Sequence, residues 1–387
     1  MKKLDGISDD LKKILLLFLT WRILLFLFLL FAVNSVPLAQ EDRFLGGGPI
    51  NYKFSPELFS WANFDGEHYL SIAIFGYKGL EQAFFPVYPM IISFVSKPFS
   101  PDLFSAFVSS TAAGIIISQT SIILALIFLW KLLRLDFSKQ ISFLTLILLL
   151  FFPTSFYFAS VYNESLFLLL AILSFYCART NRWVLASIFG FIASATRIFG
   201  LLLFPALLIE AWQNKLSFRR MLVLFLIPLG LGVYMIYQYL TVGNALAFYN
   251  LQKIVGEQHQ SGFTFLPQVY FRYIKMLLTV DMTHPIYQTI VLEFIVGILF
   301  FFLPIYGYFK KIRVSYLVFA LLGFLMPTIQ GSFSSVPRYV IVFFPSFLAA
   351  ALWIENKPGV LKLIILISSL TILFIETTLF LRGYWVA

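Results

Sequence analysis

Ile14–Val33 is a run of twenty residues in which Arg22 is the only charge, and it opens a series of helix-length apolar stretches. A helix needs about 20 mainly apolar residues to cross a bilayer. The hydrocarbon layer holds no water to satisfy backbone N–H and C=O groups, so only helices and closed barrels cross it. These stretches are continuous rather than alternating, which points to helices. Further spans read as Leu103–Trp130, Ile141–Phe158, Tyr162–Ala178, Trp183–Arg197, Ile198–Trp212, Met221–Thr241, Ile286–Phe309, Ser315–Ile329, Tyr339–Ile354 and Val360–Phe380, making eleven. The two around Arg197 are short enough to be one bent helix or two half-length ones. Only 12% of the chain is charged, against about a quarter in a soluble domain. The fold class is therefore an all-α polytopic membrane protein, expected as one integral-membrane domain over residues 1–387.

The charges set an orientation. The net charge is +10, but the basic residues are scattered through short loops rather than gathered in one stripe, which excludes a nucleic-acid partner. With the N-terminus cytoplasmic, 17 of the 28 basic residues fall on the inner side, as the positive-inside rule requires. MKKLDGISDDLKK is charged and no small-residue cleavage pattern follows the first run, so that run is expected to be an uncleaved span. Cys177 is the single cysteine, which excludes an intrachain disulfide and a cysteine metal cage. No internal repeat of the transporter kind is present.

Two long polar stretches then face outward. The first outer loop, residues 34–102, contains Gly46-Gly47-Gly48, an amphipathic stretch through Trp61, Phe64, Tyr69 and Ile72, and the apolar but proline-studded segment Phe84–Phe99. That segment is too short to span and is expected to be a re-entrant or interfacial helix. The second outer loop covers residues 242–285. Loops of this length are commonly functional.

The residues suited to chemistry lie in and beside the first loop. In Asn63–Leu70, NFDGEHYL, Asp65 and His68 are three apart and share a face if helical. Gly66 is expected to allow a tight backbone turn near a ligand. Asp65 reads as a general base assisted by His68, with a helix N-cap beside a solvated histidine as the alternative. The aromatic flanks Trp61, Phe64 and Tyr69 favour the first reading. Two ligands are too few for a metal site, so neither a metal nor any other cofactor is expected, with a divalent ion as a third option. Pro86 and Pro89, three apart, cannot both sit inside a regular helix. AFFPVYP (Ala83–Pro89) reads either as a rigid slot for an isoprenoid chain or as an aromatic interface anchor.

Glu164 in Tyr162-Asn163-Glu164-Ser165 opens a span at the outer surface, where a carboxylate is costly unless solvated or paired. It reads equally as a substrate contact or as a helix-dipole charge. Arg197 in SATRIFG suits phosphate oxygens, with a structural pair to Glu164 as the alternative. Arg338 in SVPRYV has the same chemistry, but a snorkelling interfacial arginine is the stronger reading there. Lys253, His259 and Arg272 in the second loop are weaker candidates, and no role follows for Glu293 and Glu376.

The ordered set F-D-G-E-H-Y-L-S-I-A-x-x-G-Y, A-F-F-P-V-Y-P, Y-N-E-S-L-F and A-T-R-x-x-G resembles the PIG-V-type mannosyltransferases of the GT-C superfamily, over about Trp61 to Gly200. Pro337–Tyr339 is a weaker echo. The resemblance implies a GT-C bundle of about 11 transmembrane helices, with amphipathic helices and the catalytic acid in the first outer loop. It implies a polyprenyl-phosphate sugar donor, commonly mannose. The family's acid maps onto Asp65, its aromatic-proline segment onto Phe84–Pro89, its Glu-Ser onto Glu164-Ser165 and its arginine onto Arg197. One departure is Phe64, where the family usually has Trp.

The resulting expectation is an inverting glycosyltransferase of the prokaryotic plasma membrane, working on the outer face. Asp65 and His68 are its catalytic candidates, and Arg197 and Arg338 its donor-phosphate ligands. Trp61, Glu67, Phe85, Tyr88, Tyr162, Asn163 and Glu164 are its substrate contacts. Its partners would be a polyprenyl-phosphate sugar, a lipid or glycan acceptor and membrane lipids. A lipid-linked-sugar flippase and a non-catalytic lipid-binding subunit are the rivals. A flippase predicts a polar path through the midplane, whereas the polar residues here gather on one face.

Overall fold

The computed structural model of the protein describes residues 2–39, 45–255, 264–284 and 286–386. Every regular element among them is helical. The chain runs through α1 (Lys2–Ser35), the short helices α2 (Gly48–Phe54), α3 (Pro56–Phe59), α4 (Asp65–Phe75) and α5 (Val87–Ser96), then α6 (Leu103–Leu133), α7 (Lys139–Leu150), α8 (Glu164–Arg179), α9 (Trp183–Thr196) and α10 (Leu203–Gln213). It continues through α11 (Phe218–Met221), α12 (Leu226–Val242), α13 (Ala247–Val255), α14 (Leu266–Thr279), α15 (Ile286–Phe309), α16 (Val314–Thr328), α17 (Val336–Tyr339), α18 (Phe344–Ile354) and α19 (Gly359–Leu381).

Among the described residues, five stretches are long and apolar enough to cross a bilayer: Asp9–Ser35, Leu103–Leu133, Phe218–Val242, Ile286–Phe309 and Gly359–Leu381. The other expected spans are shorter or broken. Four are the apolar helices Lys139–Leu150, Trp183–Thr196, Ile198–Gln213 and Val314–Thr328, and the stretch Val336–Ile354 bends by 87° between α17 and α18. The breaks have local causes. α7 stops at Leu150, short of Pro153, because a proline excludes the residue before it from the helical region. α9 stops at Arg197, whose backbone is extended. Apolarity marks what lies in the membrane, but it does not fix where a helix ends.

α8 is the central element. It packs between α6 and α9, and nearly all of its side chains are buried, so the polar groups at its two ends must find partners inside the protein. α5 packs on α4 and α6; at ten residues it is about 15 Å long, half of what a crossing needs. Two glycines permit close approaches that hold this end together. A Cβ on Gly46 would lie 2.0 Å from the Phe59 carbonyl oxygen, and one on Gly200 would lie 2.3 Å from the Ser194 nitrogen.

The other end of the bundle, past the C-terminus of α6, is clamped by charge. Arg179 at the end of α8 forks onto Asp136, at 2.5 and 2.9 Å, and reaches Glu210 of α10 at 3.4 Å. Arg313, between α15 and α16, bridges the same two carboxylates at 3.2 and 3.3 Å. Ser315 donates to the second Glu210 oxygen at 2.5 Å. Burial pushes the Asp136 carboxyl up, but hydrogen bonds from Arg179 and Arg313 outweigh it and hold the group below its ordinary value.

Glu210→Ala should therefore lower stability by about 3 kcal/mol, because it strips a buried partner from two guanidiniums. Lys139→Ala, which breaks an exposed 2.9 Å pair with Asp10, should change it by less than about 1 kcal/mol. Thermal unfolding in detergent reads both, and equal effects would show that the clamp carries no stability.

Candidate active site

The turn leading into α4 is built around Asn63, which is fully buried. Its side-chain oxygen accepts from the Gly46 N–H at 2.9 Å, and its Nδ2 donates to the Phe380 carbonyl at 2.8 Å. Its own carbonyl accepts from the Tyr162 hydroxyl at 2.8 Å and from the Gly66 N–H at 3.2 Å. One residue thus ties the loop to α19 and to the segment before α8. Phe64 follows with φ 57° and ψ −120°, the first corner of a II′ turn, normally a glycine position. Such a conformation costs of order 1–3 kcal/mol and persists only where the surroundings impose it. The strained residue is Phe64, not Gly66 as expected, and Gly66 is an ordinary helical residue. The Phe64 ring packs 5.8 Å from both Phe380 and Trp385.

Asp65 is the first residue of α4, and its carboxylate meets Arg338. Arg338 donates from Nη1 to Asp65 Oδ2 at 2.5 Å and from Nε to Glu164 Oε1 at 2.7 Å. Arg197 donates to the same Glu164 oxygen at 2.8 Å and to Asn163 Oδ1 at 3.2 Å. Side-chain exposure is 0% at Glu164, 8% at Arg197, 12% at Arg338 and 33% at Asp65. The cluster is a neutral quartet in which Glu164 is the buried link between the two arginines and Asp65 is the open end. The rings of Tyr162 and Tyr157 lie 4.6 and 5.2 Å from the Arg338 guanidinium. Among the described residues, Arg338 Nη2 has no hydrogen-bond partner, and the second Glu164 oxygen is buried without one.

The structure thus brings Asp65, Asn163, Glu164, Arg197 and Arg338 together. The Arg197–Glu164 pair, the structural alternative for Arg197, is present. Arg338 is embedded and doubly paired, which differs from a snorkelling side chain. The remaining candidates are placed otherwise. His68 stacks on Phe84, with centroids 4.8 Å apart, and no hydrogen bond joins it to Asp65 among the described residues. Trp61 is buried beneath the Arg22 guanidinium, 4.8 Å from its ring centre. Tyr88 is fully buried, its hydroxyl bonded to the Gly114 carbonyl and to Ser118. Phe85 belongs to a separate cluster with Tyr234 and Phe248. Tyr162 is buried and used in holding Asn63. In the segment expected as the second outer loop, Arg272 donates to the Gly331 carbonyl at 2.9 Å, while His259 and the Lys253 side chain lie outside the described residues. Sequence reasoning assigned no role to Asn63 or Tyr157. A polar residue directly before the acidic motif was the one available signal for Asn63, and nothing marked Tyr157. Among the described residues, no three His, Cys, Asp or Glu side chains group as metal ligands. The groove of about 600 Å³ between α1, α6 and α7 lies at the opposite end, lined by Asp10, Lys13, Lys139 and Gln140 as well as by apolar side chains.

Two consequences can be measured. Glu164→Ala leaves two nearly buried guanidiniums short of an anion and should cost about 3–5 kcal/mol, more than Asp65→Ala at the exposed end. Thermal unfolding would decide this, and the reverse order would contradict the quartet. Burial pushes the Glu67 carboxyl up to about 7 from 4.5. Its neutral form is therefore favoured by the fold, so the stability it contributes is complete below pH 4.5 and is lost as pH rises through about 7. Glu67→Gln should raise the unfolding temperature at about pH 8 and leave it unchanged at about pH 4. A parallel shift at both would assign the effect to packing instead.

Residues 11–274 match the family model described as mannosyltransferase (PIG-V). Among solved structures, the protein is similar to the oligosaccharyltransferase of Archaeoglobus fulgidus. Its apo form aligns at 14% identity and a TM-score of 0.45, covering 95% of this chain and 56% of that one. The form tethered with an acceptor peptide gives 12%, 0.45, 95% and 55%, and the complex with an inhibitory peptide and a dolichol-phosphate gives 11%, 0.44, 96% and 56%. The chain therefore spans little more than half the length of those proteins. Comparison with curated protein sequences finds no match. With most of its length matched, and with that match running through the Asp65, Glu164 and Arg197 segments, the chain belongs to the mannosyltransferase (PIG-V) family.

Proposed function

We propose that the protein moves mannose from a polyprenyl-phosphate donor to a hydroxyl of a lipid-linked or glycan acceptor, with inversion at the sugar. It would do so as a single GT-C-type domain at the outer face of a prokaryotic plasma membrane, with its N-terminus cytoplasmic. The observation that carries this reading is the Asp65–Arg338–Glu164–Arg197 quartet, in which a partly open carboxylate touches a guanidinium braced from behind by a buried one. A phosphodiester entering at Arg338 would compete with Asp65 for Nη1 and take the open Nη2. Asp65 is then released to accept the proton of the acceptor hydroxyl. The acceptor oxygen attacks the anomeric carbon, the bond from that carbon to the phosphate oxygen breaks, and polyprenyl phosphate leaves with one more negative charge than the diester carried. Arg338, with Arg197 behind it, stabilises that charge as it develops. Nothing in this sequence requires a metal.

The test is incubation of the purified protein with polyprenyl-phosphate mannose and other polyprenyl-phosphate sugars, with and without a chelator, scored for transfer and for polyprenyl phosphate release. Asp65→Asn should cut turnover by about 10²–10⁴ while unfolding like the parent protein. Arg197→Ala should weaken donor use more than Arg197→Lys. Full turnover in the Asp65 variant would refute the base assignment. Movement of the lipid-linked sugar across the bilayer without release of polyprenyl phosphate would favour a flippase.

A further inference from the structure

Arg338 is presented by a strained piece of chain, and what holds that piece is a buried carboxylate on a neighbouring helix. Ser335, at the start of α17, has φ 59° and ψ 7°, a left-handed conformation uncommon for anything but glycine, asparagine or aspartate. Its carbonyl accepts from the N–H groups of Arg338 and Tyr339, at 3.1 and 3.0 Å, so it closes the single turn that carries Arg338. Its own N–H donates to Glu293 Oε1 at 3.0 Å. Glu293 stands on α15, buried, and its other oxygen accepts from the Tyr273 hydroxyl of α14 at 2.6 Å. Tyr273 also lies 3.3 Å from Ser332 Oγ, and its ring packs 4.9 Å from Phe333. Gly297, one turn along α15, sits directly beneath the Phe333 ring.

We propose that Glu293 is a positioning residue for Arg338. It locks the Ser335 turn from α15 and couples α14 of the second outer loop to the guanidinium that faces Asp65. A carboxylate deep in an apolar helix is costly, and the described contacts give this one a specific use: both of its oxygens hold parts of one short segment or its support. Without an acceptor at this position, the Ser335 N–H is left unpaired and its left-handed backbone loses its restraint, so the guanidinium is free to leave the line between Asp65 and Glu164. This inference rests on the reading of Arg338 as a phosphate ligand.

The experiment is a double-mutant cycle read by binding of a short isoprenyl phosphate, farnesyl phosphate, to the full-length protein in detergent, which needs no turnover. Glu293→Met fills the same volume without an acceptor. It should weaken binding about tenfold, the equivalent of one buried hydrogen bond. In an Arg338→Gln background the same change should have less than about a twofold effect, since coupled residues are non-additive. Glu293→Gln keeps an oxygen for Ser335 and lets Tyr273 accept instead of donate, so it should recover most of the loss. Should Glu293→Met fail to fold, Glu293→Asp, one methylene short of Ser335, replaces it with the same expected pattern. An equal loss in both backgrounds would overturn the proposal and leave Glu293 as a general stabiliser. If Arg338→Gln alone leaves binding intact, the phosphate reading of Arg338 fails and this inference fails with it, an outcome distinct from the first.

Discussion

Glu164 is the point on which the arrangement rests. A carboxylate with no solvent exposure is tolerable only if opposite charge is held against it, and here one oxygen receives two guanidiniums, from Arg197 and Arg338. Satisfying that oxygen draws together four segments far apart in the chain: the start of α8, the end of α9, α17 and, through Asp65, the start of α4. The two arginines would repel each other without the shared anion. With it they sit side by side, and Arg338 also reaches the partly exposed Asp65.

The charged residues all occur where helices stop. Asp65 begins α4 after the strained Phe64, Glu164 begins α8, Arg197 is the extended residue that ends α9, and Arg338 lies in the short turn before the 87° bend. A helix interior points side chains sideways into neighbours and leaves no backbone groups free. A helix end can aim a side chain along its axis and leaves N–H groups to be satisfied by polar partners. Such breaks survive inside a membrane protein only where protein buries them or a cavity receives them. The converging breaks therefore mark the site, and the same logic explains why several apolar runs give helices too short to cross a bilayer. The clamp of Arg179, Arg313, Asp136 and Glu210 works in the same way at the other end of α8, tying loops and helix ends together.

The membrane character, the helical class, the acidic motif in the first loop and the family were all readable along the chain, because each depends on composition or on residues within a few positions of one another. So were Asp65, Glu164 and Arg197 as individual candidates. Their partnership was not. Asp65 and Arg338 are 273 positions apart, and local spacing suggested His68 as the helper of Asp65, whereas His68 stacks on Phe84. Aromatic residues near the motif were read as substrate contacts, yet Tyr88 and Trp61 are sealed in the core, since apolar side chains of either use look alike in a sequence. Asn63, Ser335 and Glu293 act through backbone groups, which a sequence does not display.

By itself the sequence determined that this chain lives in a membrane as helices and that one acidic motif is set apart from the apolar runs, because hydrophobic transfer and helix periodicity are local properties of the residues. Only the tertiary structure decided which cation answers which anion, where each helix breaks, and that Arg338 rather than His68 faces Asp65. Those outcomes come from satisfying buried charges and backbone groups between segments brought together by packing, and no window along the chain contains both partners.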